Sequence, residues 1–184
     1  SYITRCQSFL QMGKPDNDFL VYLPIYDVWH EQSGRLIQFD VHSMGKKMPQ
    51  FIGAVRSIYE CGYDMDYISD HFILSTHCEN GKLLTKSGSM YEALILPSVK
   101  KMHLNVLEHI IHLIEQGAKV VFMENFPNDV PGFDRLKSRR LTLKQLLKKL
   151  NANTDFNKVS VRKLNKGIIV SGSNYKEALQ AIGK

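Results

Sequence analysis

Residues 19–23 read Phe-Leu-Val-Tyr-Leu and stop at Pro24. An apolar run without polar alternation is what a strand buried on both faces requires, and a proline cannot continue the ladder. The same signature returns at Ala93-Leu-Ile-Leu96, closed by Pro97, and at Lys119-Val-Val-Phe-Met123. Met65-Asp-Tyr-Ile-Ser69 is a shorter strand between the first two. These four segments are expected to lie side by side as inner strands, with their polar tips along one rim.

Between them the apolar spacing becomes helical. Ile3, Cys6, Phe9 and Leu10 predict a leading helix over 2–11, closed by Gly13, Lys14 and Pro15. Pro49 suits a first helical turn; Phe51, Ile52, Val55, Ile58 and Tyr59 form one stripe, and Gly62 ends it. Asp70 is placed to cap a brief helix to Leu74. Leu107, Ile110, Ile111 and Ile114 share a face of a helix over 103–116, capped by Gly117. Arg135 to Leu150 predicts a basic helix burying Leu143, Leu146, Leu147 and Leu150. Gly81–Thr85 reads as a minor edge strand, 159–164 and 167–171 as a terminal hairpin, and 174–182 as a closing helix. Strands near 19, 65, 94, 120 and 168 with helices between them predict a three-layer α/β/α sandwich around a mainly parallel sheet.

The 184 residues suit one domain, with 1–15 a leading helix, 16–125 the core, and 126–184 the basic helix and terminal strands. The sequence starts at Ser1, and Tyr2 to Gln11 already reads as the middle of an amphipathic helix, which suggests a trimmed start. No signal peptide is recognised, and no apolar run approaches the roughly eighteen residues a bilayer needs. Cys6, Cys61 and Cys78 form neither a disulfide framework nor a zinc pair. The formal charge is +6, yet residues 135–166 alone carry +10 and the rest −4. This basic stretch is expected to be a solvated helix face, with a nucleic-acid or regulatory surface as the rival reading.

Ligands of open α/β sheets sit beyond the C-terminal strand ends. Those ends offer Tyr26, Asp27, Trp29 and His30 after the first strand, Ser69 and Asp70 after the second, Ser98 after the third and Glu124 with Asn125 after the fourth. An indole beside carboxylates and an imidazole suits a sugar, whose C–H face stacks on the ring while its hydroxyls take the polar groups. These eight residues, Asn125 aside, are the candidate substrate contacts. The long connection 24–47 is expected to cover something. No Gly-x-Gly-x-x-Gly or Walker loop occurs, and Pro-Ile-Tyr-Asp after the first strand offers no phosphate cradle, so no cofactor is expected. Ser98 lies outside any Gly-x-Ser-x-Gly elbow, so no nucleophile is predicted. His109 and His112 have the wrong spacing for a zinc protease and are expected to face solvent. Asp64 and Asp66 share a strand face but are too close in sequence to straddle a glycosidic bond.

Several segments together resemble a known family. Tyr2-Ile-Thr-Arg-Cys-Gln7 with Phe9-Leu-Gln11 and Gly13-Lys-Pro15, then the strand 19–24, Gly62-Tyr-Asp-Met-Asp-Tyr-Ile-Ser69, Tyr91-Glu-Ala-Leu-Ile-Leu-Pro97 and Leu107 to Val121, resemble the amidotransferase-like domain of α-L-rhamnosidase-type glycoside hydrolases of family 106. The series is also similar to the trimerisation domain of family 42 β-galactosidases. It covers residues 2–125 and fades beyond. The resemblance implies a flavodoxin-like or class I glutamine amidotransferase-like sheet. It implies an auxiliary domain of a periplasmic or extracellular carbohydrate-degrading enzyme, packed on a catalytic barrel, touching carbohydrate or forming a homo-oligomer. It does not imply that these residues hydrolyse anything. A stand-alone amidotransferase-like or esterase-like hydrolase is the alternative.

Overall fold

The protein is described by a computed structural model covering residues 1–13, 16–30, 44–152 and 155–183. In chain order the elements are α1 (Tyr2–Met12), β1 (Phe19–Tyr22), α2 (Ile25–Trp29), α3 (Met44–Lys47), α4 (Pro49–Glu60), β2 (Met65–Ile68), α5 (Asp70–Ile73), β3 (His77–Glu79), β4 (Lys82–Leu84), β5 (Met90–Tyr91), β6 (Ala93–Leu96), α6 (Leu104–Gln116), β7 (Lys119–Met123), α7 (Leu136–Lys149), β8 (Ser160–Leu164), β9 (Gly167–Gly172) and α8 (Tyr175–Ala181). The expected helix closure at Lys14-Pro15 and residues 31–43 of the long connection lie outside the described residues.

The fold is mixed α/β, built on a mainly parallel six-stranded sheet in the order β2-β1-β6-β7-β9-β8. β8 alone runs antiparallel, as the outer half of a hairpin with β9. Successive strand residues face opposite sides, so each inner strand feeds two cores. Leu20, Tyr22, Leu94, Leu96, Val120, Phe122 and Ile169 pack with α6 and the leucines of α7. Phe19, Val21, Ala93, Ile95, Val121, Met123 and Val170 pack with α4 and α8 on the other side. Two-sided burial is why β1, β6 and β7 are continuously apolar.

β2 differs from its expected inner position. It lies at the sheet edge and only Ile68 is buried, which accounts for its polar sequence. Residues 82–84 form a strand, but in a separate antiparallel sheet β3-β4-β5 rather than at the edge of the main one. Strands of two or three residues such as β3 and β5 leave no period for a sequence reading to catch. The connection 24–47 contains two short helices, α2 and α3.

In α4, Phe51, Ala54 and Ile58 are buried, while Tyr59 points to solvent. Pro49 begins that helix, and Gly62 follows it at φ +87°, a conformation that favours glycine. α6 ends at Gly117 with φ +126°. Ser69, not Asp70, holds the N-cap position of α5, and its side chain makes no capping bond. Asp70 instead takes the Tyr22 hydroxyl at 2.6 Å. His112 is exposed as expected; His109 is not, because its Nε2 meets the Thr76 carbonyl at 2.8 Å. α1 forms where expected, yet none of its residues is buried. No helix among the described residues is long and apolar enough to cross a membrane.

Candidate functional site

The chain leaves β1 toward β2 on one side and leaves β6 toward β7 on the other. The C-terminal ends of β1 and β6 therefore diverge, and this reversal point is where open α/β sheets form a crevice. A cavity of about 420 Å³ lies there, within the range of small-molecule sites. Its wall comes from three segments: α2 after β1, the loop after β6, and the loop after β7 with the start of α7.

Pro24 ends β1 and α2 starts at once, so Tyr26, Trp29 and His30 reach the crevice on little more than one helical turn. The Tyr26 ring meets Trp29 edge-on at 5.5 Å and His103 edge-on at 4.6 Å. Such contacts fix the rings and leave the Trp29 side chain 60% exposed. Phe133, on the loop after β7, is 88% exposed. These rings give the cavity an open aromatic character.

Asp27 does not face the cavity. Its two oxygens accept the Lys100 and Lys101 N–H groups, each at 2.7 Å. It thereby ties α2 to the loop after β6 across the reversal point. Burial pushes its carboxyl above the ordinary range, against the pull of those two N–H groups.

The polar side of the wall centres on Asp129. It accepts from Arg140 Nε and Nη2, both at 2.8 Å, and from Lys101 Nζ at 3.1 Å. The Arg140 hydrogen bonds chiefly hold its carboxyl well below the usual carboxylate range, against some desolvation. Asp129 is thus a permanent anion at ordinary pH.

Five of the eight expected contacts lie outside this wall, Asp27 and four others. Ser69 and Asp70 follow the edge strand β2, and Asp70 is committed to Tyr22 behind the site. Ser98 donates to Asn125 Oδ1 at 2.6 Å, and Asn125 in turn donates to the Val99 and Phe126 carbonyls. That arrangement holds the two loops together. Glu124, at φ +68°, points its backbone N–H at the Gly172 carbonyl, and its charge helps raise the Tyr175 phenol, which burial raises more. Its side chain therefore belongs to the β9–α8 side.

Lys101, His103, Asp129, Phe133 and Arg140 were not among the sequence candidates. The first four sit on loops after inner strands, a signal that was available. Arg140 reads locally as one more cation on a solvated helix. Among the described residues, no group of His, Cys, Asp and Glu could hold a metal ion.

Fold and cavity together define an α/β domain with an aromatic, charge-lined site at its sheet reversal point. The family model described as alpha-L-rhamnosidase, of glycoside hydrolase family 106, matches residues 1–184, and the chain belongs to that family. A Formosa agariphila protein named "Putative beta-glucuronidase" is 29% identical over 120 residues, which span 65% of this chain and 8% of that protein. A solved rhamnosidase from Novosphingobium sp. PP1Y superposes with a TM-score of 0.64 and 22% identity, over 98% of this chain and 15% of the other. That likeness is one of fold. The chain thus spans a small part of the length of both proteins.

Proposed function

We propose that this chain is a non-catalytic auxiliary domain of a longer carbohydrate-degrading enzyme of α-L-rhamnosidase type. It folds as one domain and packs against a catalytic barrel in a periplasmic or extracellular protein. Its rim cavity frames substrate through Trp29, Tyr26 and His30. The family match over the whole chain supports the parent class, and the short share of both longer proteins supports a domain role. The parallel strands run second, first, third, fourth, fifth across the sheet, which supports the flavodoxin-like and amidotransferase-like assignment.

One observation carries the non-catalytic reading. Among the described residues lining the cavity Asp129 is the one carboxylate, and two cations keep it ionised. Hydrolysis of a glycoside calls for two carboxyl groups across the bond, one of them protonated. A cation-locked carboxylate such as Asp129 cannot supply the acid.

Trp29 is the single tryptophan, so its fluorescence reports this cavity. Methyl α-L-rhamnoside is expected to change that emission with a dissociation constant in the roughly millimolar range. The chain is expected not to cleave an aryl α-L-rhamnoside. Turnover by purified chain would sink the non-catalytic reading, and a silent Trp29 would remove substrate framing. In the longer enzyme, Trp29→Ala is expected to raise KM and leave kcat unchanged, the mark of binding lost equally from ground state and transition state.

A further inference from the structure

Around Asp129 the cavity wall is arranged to give hydrogen bonds rather than to take them. Asp129 Oδ1 accepts from Arg140 Nε at 2.8 Å and from the Val130 N–H at 2.9 Å. Its Oδ2 accepts from Arg140 Nη2 at 2.8 Å and from Lys101 Nζ at 3.1 Å. An ionised carboxylate has about four acceptor positions, so Asp129 is saturated. The Asp129 carbonyl takes the Met102 N–H at 3.2 Å. The Pro131 and Gly132 carbonyls are each engaged from behind by Arg139, at 2.7 Å.

The donors are not used up in the same way. Arg140 commits Nε and one proton of Nη2, which leaves Nη1. Lys101 commits one ammonium proton. Among the described residues lining the cavity, two fixed cations, Lys101 and Arg140, face one fixed anion, Asp129, an excess of positive charge. The Lys101 side chain is only 14% exposed, where water screens a charge less than at an open surface. A neutral sugar hydroxyl must place its own proton as well as accept one. A carboxylate whose acceptor positions are filled, as in Asp129, serves that hydroxyl poorly. An anionic oxygen has no proton to place.

We propose that the cavity selects a pyranose bearing an anionic substituent, a carboxylate or a sulfate ester. Its ring lies against Trp29, and its charged oxygens meet Lys101 and Arg140. This rests on the sugar-contact reading of the same cavity and adds the class of sugar.

Methyl β-D-glucuronoside, D-glucose 6-sulfate and methyl β-D-glucoside test it, titrated separately into the 184-residue chain and followed by Trp29 emission and calorimetry. At least one anionic sugar is expected to bind about tenfold more tightly than the neutral glucoside. The gap is expected to narrow in high salt, and the stronger of the two anions identifies the substituent. Lys101→Met and Arg140→Met are each expected to remove most of the preference. Circular dichroism shows which variant stays folded, and either one suffices. Equal binding of all three sugars overturns the anionic assignment and leaves the sugar site standing. No binding of any sugar overturns both. An anion preference undiminished in a folded variant overturns the placement at Lys101 and Arg140.

Discussion

Asp129 joins three segments with one side chain. It receives Lys101 from the loop after β6, Arg140 from α7, and the N–H of its own neighbour Val130. Asn in its place would set an amide N–H₂ against groups that themselves donate, so Asp129→Asn loosens the cavity wall without changing its shape. Because Arg140 is half exposed, solvent screening keeps the effect modest. The folded carboxyl titrates well below the unfolded one, near 3.9. Its contribution is therefore present above about pH 4 and is lost as pH falls toward its folded value. Thermal melts are expected to show Asp129→Asn a few degrees less stable at pH 7, with the two curves converging in acid. A gap independent of pH would show that the carboxylate's charge is not what matters.

Two elements illustrate opposite extremes of packing. β9 begins where α6 ends, and a Cβ on Gly167 would stand 2.0 Å from the Ile114 carbonyl oxygen and 2.5 Å from that of Ala118. Both neighbours are backbone and cannot step aside. Gly167→Ala is expected to cost about 3 kcal/mol, read from urea melts, because strand or helix end must shift. A cost near zero would mean that this close approach is absent in solution. α1 is the converse. Tyr2, Ile3, Phe9, Leu10 and Met12 are all exposed, and an isolated helix of eleven residues is marginal in water. Hydrogen exchange is expected to find α1 amides nearly unprotected while β7 amides exchange only on global unfolding. Protection of α1 equal to that of β7 in the 184-residue chain would contradict its exposed placement.

Across the whole molecule, the parts legible in the sequence are those that local chemistry dictates. Phe19–Tyr22, Ala93–Leu96 and Lys119–Met123 are strands because runs apolar on both faces suit the middle of a covered sheet. Pro49, Gly62 and Gly117 mark helix boundaries because ring closure and a missing Cβ act within a residue or two. The solvated reading of α7 holds for much of its length, although Leu143 and Leu146 anchor it and Arg140 turns to Asp129. Alternation of such segments established the α/β class, and Tyr26, Trp29 and His30 were within reach because they follow β1 directly. Tertiary structure alone put β2 at an edge, which moved Ser69 and Asp70 away from the crevice. It also turned Asp27 onto backbone N–H groups, and it brought Lys101, Asp129 and Arg140 into one wall. The reason is separation along the chain: helical and strand periods act over neighbouring residues, whereas strand order and the meeting of distant loops depend on which buried faces pack together.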